Sequence, residues 1–247
     1  MKQMHLSILA VGLLITVTGG AAQADLTTIG TATYNGSDYK LIWDDDNNGN
    51  SLIWLDYTNG PDTWANQMYS WARDLDGALT YHINPTYTVT WSDDAWRLPT
   101  TAGGYTYDSA PAVLGYNVTS SEMGHLYYEE LGNLGKNDIS GNPQSGYGLT
   151  KTGDFDHLVA GTYFSSTEYP RWSHAVWEFD MSDGNQLIGS TMDYTYHYIP
   201  QYALAVRGGE VSTPTTVPVP KSATLLFIGI GFFGLTGLWR RRKLNLA

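Results

Sequence analysis

Oxygen-bearing side chains at alternate positions around a glycine form the sharpest chemical pattern in this 247-residue chain: Asp44, Asp46, Asn48 and Asn50 flank Gly49. Such spacing lets carboxylate and amide oxygens wrap a hard cation, calcium above all. A helix–loop–helix calcium loop also needs a bidentate Glu at its twelfth position; counted from Asp44 that position holds Leu55, and Asp56 comes one residue too late. The same residues are what a tight polar turn uses. Calcium binding and turn formation both stand as readings, with the turn explaining more of the pattern. Asp180, Asp183 and Asn185 around Gly184 repeat it more weakly, and there the turn is favoured.

Other chemistry finds less support. The chain has no cysteine, which removes thiol catalysis and cysteine-based zinc sites. His82, His125, His157, His174 and His197 show no helical i, i+4 pair of the zinc-protease kind. His125, between Glu122 and Glu129 on an expected helix, reads as a packing residue. Neither a Gly-x-Ser-x-Gly nucleophile turn nor a phosphate-cradling glycine loop occurs. Glu129, Glu130, Glu168 and Glu178 could supply the paired carboxylates of a glycosidase, but sequence does not fix their separation. Arg97, between Trp96 and Leu98 and ahead of Pro99, reads as structural, its guanidinium pairing with a carboxylate and stacking on an aromatic ring. Arg207 beside Gly208 reads the same way.

The elements that position these residues follow from periodicity. Tyr39 to Trp43 and Ser51 to Leu55 are strand-like runs around the polar loop, hence a hairpin. Trp64, Met68, Trp71, Ala72 and Leu75 predict a helix that Gly77 ends. Met123, Leu126, Tyr127, Glu130, Leu131 and Leu134 predict a second, from Glu122 to Leu134, capped by Thr119 and stopped by Gly135. Short strands are expected over 94–100, 162–168, 175–181 and 202–207. Helices early and hairpins late predict an α+β class.

The ends of the chain predict export. Lys2, an apolar run from Leu6 to Val17, and the small residues Ala22 and Ala24 have the layout of a signal peptide cleaved after Ala24. The globular domain is then 25–212, followed by a proline-rich linker over 213–221. Residues 222–239 carry no charge and, at roughly 1.5 Å per residue, form a helix of about 27 Å, enough to cross a bilayer. Arg240, Arg241, Arg242 and Lys243 open the basic tail, 240–247, which stays cytoplasmic and leaves the domain outside. Between 25 and 220 lie all 24 acidic residues against seven basic ones, a net charge of −17 that repels nucleic acid and attracts divalent cations.

Val217, Pro218, Val219 and Pro220, the glycine-rich apolar segment and the arginine cluster resemble the PEP-CTERM sorting signal of Gram-negative bacteria, in its Val-Pro-x-Pro form. The resemblance implies an exosortase-type transpeptidase as partner, the inner membrane in transit, and the cell surface or extracellular matrix as destination. Within the domain, DDDNNGNSLIWLDYT (44–58), WRLPT (96–100), SEMGHLYYEELGN (121–133), YFSSTEY (163–169), AVWEFDMSDGNQ (175–186) and YALAVRGG (202–209) resemble the Lcl C-terminal domain family. That family implies a compact fold related to C-type lectins and the formylglycine-generating enzyme, with no assigned biochemical role. The enzyme's chemistry runs through cysteines and does not carry over. The expected function is a surface-displayed binding or structural module whose exposed Tyr and Trp engage polysaccharide or a surface protein, with a carboxylate-pair hydrolase as the alternative.

Overall fold

Leu41 to Trp43 and Leu52 to Leu55 are apolar at consecutive positions because the strands they belong to are covered on both faces. The computed structural model describes residues 26–92, 95–101, 114–192 and 199–213. The chain divides at Ser212/Thr213, and every element below belongs to the unit before that point. The strands are β1 (Thr27–Tyr34), β2 (Ser37–Asn47), β3 (Asn50–Asp62), β4 (Thr80–Ile83), β5 (Thr88–Trp91), β6 (Thr162–Glu168), β7 (Ala175–Asp180), β8 (Asn185–Ser190) and β9 (Gln201–Ser212). They make a nine-stranded sheet in the order β4-β1-β2-β3-β9-β6-β7-β8, with β5 also paired to β9. All pairings are antiparallel except the short parallel contact of β6 with β9 at Tyr163 and Tyr202.

Two short helices cover the sheet. The first, α1, is a π-helical stretch, Asn66–Ala72, that runs into an α-helical one, Arg73–Ala78; the second, α2, runs from α-helical Glu122–His125 into π-helical Leu126–Glu130. Strand alternation divides the core between them. Ile42, Leu52, Trp54, Leu204 and Val206 point to the side where Met123, Leu126 and Tyr127 of α2 pack. Leu41, Ile53, Leu55 and Ala205 point to the other, against Leu75 of α1 and Trp96.

The expected α+β, lectin-like class is therefore overturned. One broad sheet carries the architecture, its main strands are long, and the helices are short covers. Helix α2 stops at Glu130, before the expected Leu134, and Gly132 follows with a φ of 62°. Its N-cap is Ser121, whose Oγ accepts the Gly124 N–H at 3.0 Å, instead of Thr119. The segment expected as a strand over 94–100 makes one bridge, Arg97 with Val206, since Pro99 has no N–H to extend the ladder. Among the described residues no helix is long and apolar enough to cross a membrane. The expected span 222–239, the leader with Ala22 and Ala24, and the sorting motif with Val217, Pro218, Pro220, Arg240, Arg241 and Arg242 lie outside them.

Candidate functional site

Asp44 sits two residues after Ile42 on β2, so alternation turns it toward α2 and away from solvent. It is fully buried. Between the pairs Asp44↔Leu52 and Asn47↔Asn50, β2 holds one residue more than β3, a bulge that leaves both Asp44 and Asn47 inside. Asp44 Oδ2 accepts Asn47 Nδ2 at 2.8 Å and Trp54 Nε1 at 3.0 Å, while Oδ1 has no hydrogen-bond partner. Burial pushes its carboxyl up to about 6, with Glu130 adding to the rise and the two hydrogen bonds opposing it.

The other three oxygens of the loop do not join Asp44. Asp46 Oδ1 accepts the Gly49 N–H at 3.0 Å, and Asn50 Nδ2 donates to the Asn47 carbonyl at 3.2 Å. Asn48 and Gly49 have φ of 54° and 81°, the two left-handed positions of a two-residue hairpin turn. Asp46, Asn48 and Asn50 thus build the turn.

What meets Asp44 comes from α2. The Leu131 N–H bonds to the Leu126 carbonyl at 2.9 Å, five residues back, and this wide π-turn brings positions five apart onto one face. His125 Nε2 lies 3.0 Å from Glu130 Oε1, with side chains 14% and 0% exposed. Glu130 Oε2 has no hydrogen-bond partner. Asp44, His125 and Glu130 each offer a ligand atom, and these atoms all lie within 4.8 Å of one another. The hydrogen bond to Glu130 raises the His125 pKa above its usual value, and the charges of Asp44 and Glu129 add to it.

Glu122, at the start of α2, serves a different purpose. Arg97 grips it in a bidentate pair at 2.7 Å and 2.7 Å, and the Thr100 N–H donates to the same carboxylate at 2.7 Å. Arg97 also exchanges backbone hydrogen bonds with Val206, so the pair ties α2 to β9. Trp96 is buried and donates from Nε1 to the Tyr81 hydroxyl at 2.7 Å, and the Pro99 carbonyl accepts the Ser166 N–H at 2.8 Å. Arg207 bonds Asp76 at 2.8 Å and lies 4.9 Å above the Trp91 ring. A polar groove of about 590 Å³ opens here, walled by Asn50, Ser51, Trp91, Arg97, Glu122 and Glu210.

Among the described aromatics, Trp54, Trp96, Trp177, Tyr127 and Tyr163 are fully buried, and others such as Trp43, Trp71 and Tyr128 are half-buried. Among the described residues the exposed aromatics are Trp172, 64% exposed, and Tyr69 and Tyr147. Trp172 packs edge-on against Tyr169 at 5.4 Å, and Tyr169 against buried Trp177 at 5.7 Å, so the exposed ring has a rigid backing. Beside it a hollow of about 250 Å³ is lined by Trp64, Glu168, Ser173, His174 and Thr191. Among the described acidic residues considered for a hydrolase, Glu129 and Glu168 are exposed, while Glu130 and Glu178 are buried. The carboxylates that do meet, Asp44 and Glu130, meet in the core.

His125 and Glu130 escaped sequence reasoning as a pair because helical periodicity searches three and four residues apart. Comparison with family models, with curated proteins and with solved structures finds no match.

Proposed function

We propose that this is an exported binding module, displayed at the cell surface or in an extracellular matrix, whose ligand is a polysaccharide. The observation that carries the reading is Trp172: a large aromatic face held out in solvent by Tyr169 and Trp177, next to a hollow with Glu168, Ser173 and His174 at its rim. A flat, preorganised ring stacks on the apolar face of a sugar, and adjacent carboxylate, hydroxyl and imidazole groups bond its hydroxyls. Export is supported by the leader ending at Ala24 and by the tail with Val217, Pro218, Pro220 and Arg240 to Arg242. Its resemblance to a PEP-CTERM signal makes an exosortase-type transpeptidase the processing partner.

The test is retention of the protein on immobilised acidic and neutral exopolysaccharides and on a glycan array, for wild type and Trp172→Ala. The proposal expects retention by the wild type and at least about a tenfold loss in the variant, as truncating a central aromatic anchor gives. Failure of the wild type to bind any glycan, or binding unchanged by the substitution, overturns it.

A further inference from the structure

We propose that Asp44, His125 and Glu130 hold a divalent first-row transition ion, of which zinc is the type, as a structural clamp between β2 and α2. The site is distinct from the Trp172 ledge and does not rest on it.

The first ground is geometric. One ligand atom from each side chain falls within 4.8 Å of the other two, and His125 Nε2 already stands 3.0 Å from Glu130 Oε1. Zinc bonds of about 2.0–2.2 Å to imidazole nitrogen and carboxylate oxygen bring ligand atoms to roughly such separations. The π-turn makes this possible, since an α-helical turn would place Glu130 away from His125.

The second ground is independent of the first. Asp44 Oδ1 and Glu130 Oε2 are buried and lack any hydrogen-bond partner, on two carboxylates withdrawn from water. Buried polar atoms are nearly always satisfied, and a carboxylate needs a donor or a cation. Two negative charges and one dication sum to zero, so the ion removes the like-charge opposition of the carboxylates as well as supplying their missing partner. The Asn47 and Trp54 bonds to Asp44 Oδ2 already fix that ligand's orientation, as outer-shell donors do at metal sites.

The donor set selects the ion. One nitrogen and two carboxylates suit zinc or manganese. Calcium takes about six to eight oxygens in a loop that can wrap it. The partly exposed member, His125, marks the side from which the ion enters.

The test titrates zinc, manganese and calcium chloride separately into the untagged full chain, stripped with chelator and kept in mild detergent. Binding is followed by calorimetry and by the shift in Tm. The expected result is saturable zinc binding, with a Tm rise that chelator reverses. Asp44→Asn, Glu130→Gln and His125→Gln should each weaken it by about tenfold or more, the size of loss seen when a metal shell is disturbed. Asp46→Asn should leave it unchanged. The amide variants match the carboxylates in shape, and a circular dichroism spectrum without metal checks their fold. Cobalt supplies a second measurement on the wild type alone, a visible d–d spectrum that zinc displaces. The proposal is overturned by no saturable zinc binding, by binding kept within about twofold in both carboxylate variants, by a requirement for Asp46, or by calcium binding in preference to zinc. A proton shared by Asp44 and Glu130 would give the first of these results.

Discussion

Glu178→Gln should free the protein from a penalty that grows with pH. Glu178 lies on β7, 3% exposed, with Oε1 unpartnered, and burial, aided by Asp180, pushes its carboxyl up to about 7 from 4.5. Well below pH 4.5 the group is protonated in folded and unfolded chains alike and its ionisation has no effect on stability. As pH rises through the interval to 7, the unfolded chain gives up the proton first, so the wild type loses stability; above 7 the loss is complete. The interval is about 2.5 pH units, and at about 1.36 kcal/mol each the loss comes to somewhat over 3 kcal/mol. Glutamine does not ionise, so the difference in stability, variant minus wild type, should rise by about 3 kcal/mol between pH 4 and pH 8. Urea unfolding of the 25–212 domain at several pH values measures it, and taking the difference cancels the similar behaviour of Asp44. A difference that stays flat across that range refutes the reasoning, because it means the carboxylate is solvated or paired when folded.

Gly189→Ala drives a Cβ into the Glu178 carboxyl, and should destabilise by about 2 kcal/mol, the range for overpacking; in a Glu178→Ala background most of that loss should vanish in a double-mutant cycle. Arg97→Met leaves the largely buried Glu122 with the Thr100 N–H as its remaining donor, and should cost about 2–3 kcal/mol by denaturant unfolding. Gly184→Ala combines a φ of 79° with a Cβ 2.5 Å from the Tyr128 hydroxyl, so its Tm should fall by several degrees, about 2 kcal/mol or more. For the tail, Pro218→Ala with Pro220→Ala should leave the protein uncut in its host, where the wild type should have the mass of a chain lacking both 1–24 and the segment after Pro220; equal masses would argue against sorting.

The sequence made some of this legible for a physical reason. Strands covered on both faces write themselves as continuous apolar runs, and so the cores of β2 and β3, the spans of β6 and β7 and the first half of β9 could be read directly. Strands β1, β4, β5 and β8 could not, because TTIGTATY, TYHI, TVTW and NQLIGS are short or rich in small and polar residues. Missing them left the helices overweighted and produced the wrong class. Asp44 was visible as a ligand candidate, yet its neighbours in sequence were the wrong partners: it alternates with Ile42 and faces inward, whereas Asp46 and Asn48 serve the turn. Glu130 and His125 became its companions through tertiary packing and a π-turn, neither of which has a periodic signature.

Strand β9 is the seam of the sheet, pairing with β3, β5 and β6 at once, and it is also the last of the described strands. Leu52 must wait for Gly208, and Trp91 for Gly209. During synthesis, no strand pairing among the described residues joins the β1–β4 group to the β6–β8 group until residues 201–212 emerge. Closure is therefore a late, long-range event, which slows folding and keeps the edges of β3 and β6 open in the interval. If the chain is exported as proposed above, and threaded unfolded through a channel, it gains from that delay, since the sheet cannot lock before residues 201–212 have passed.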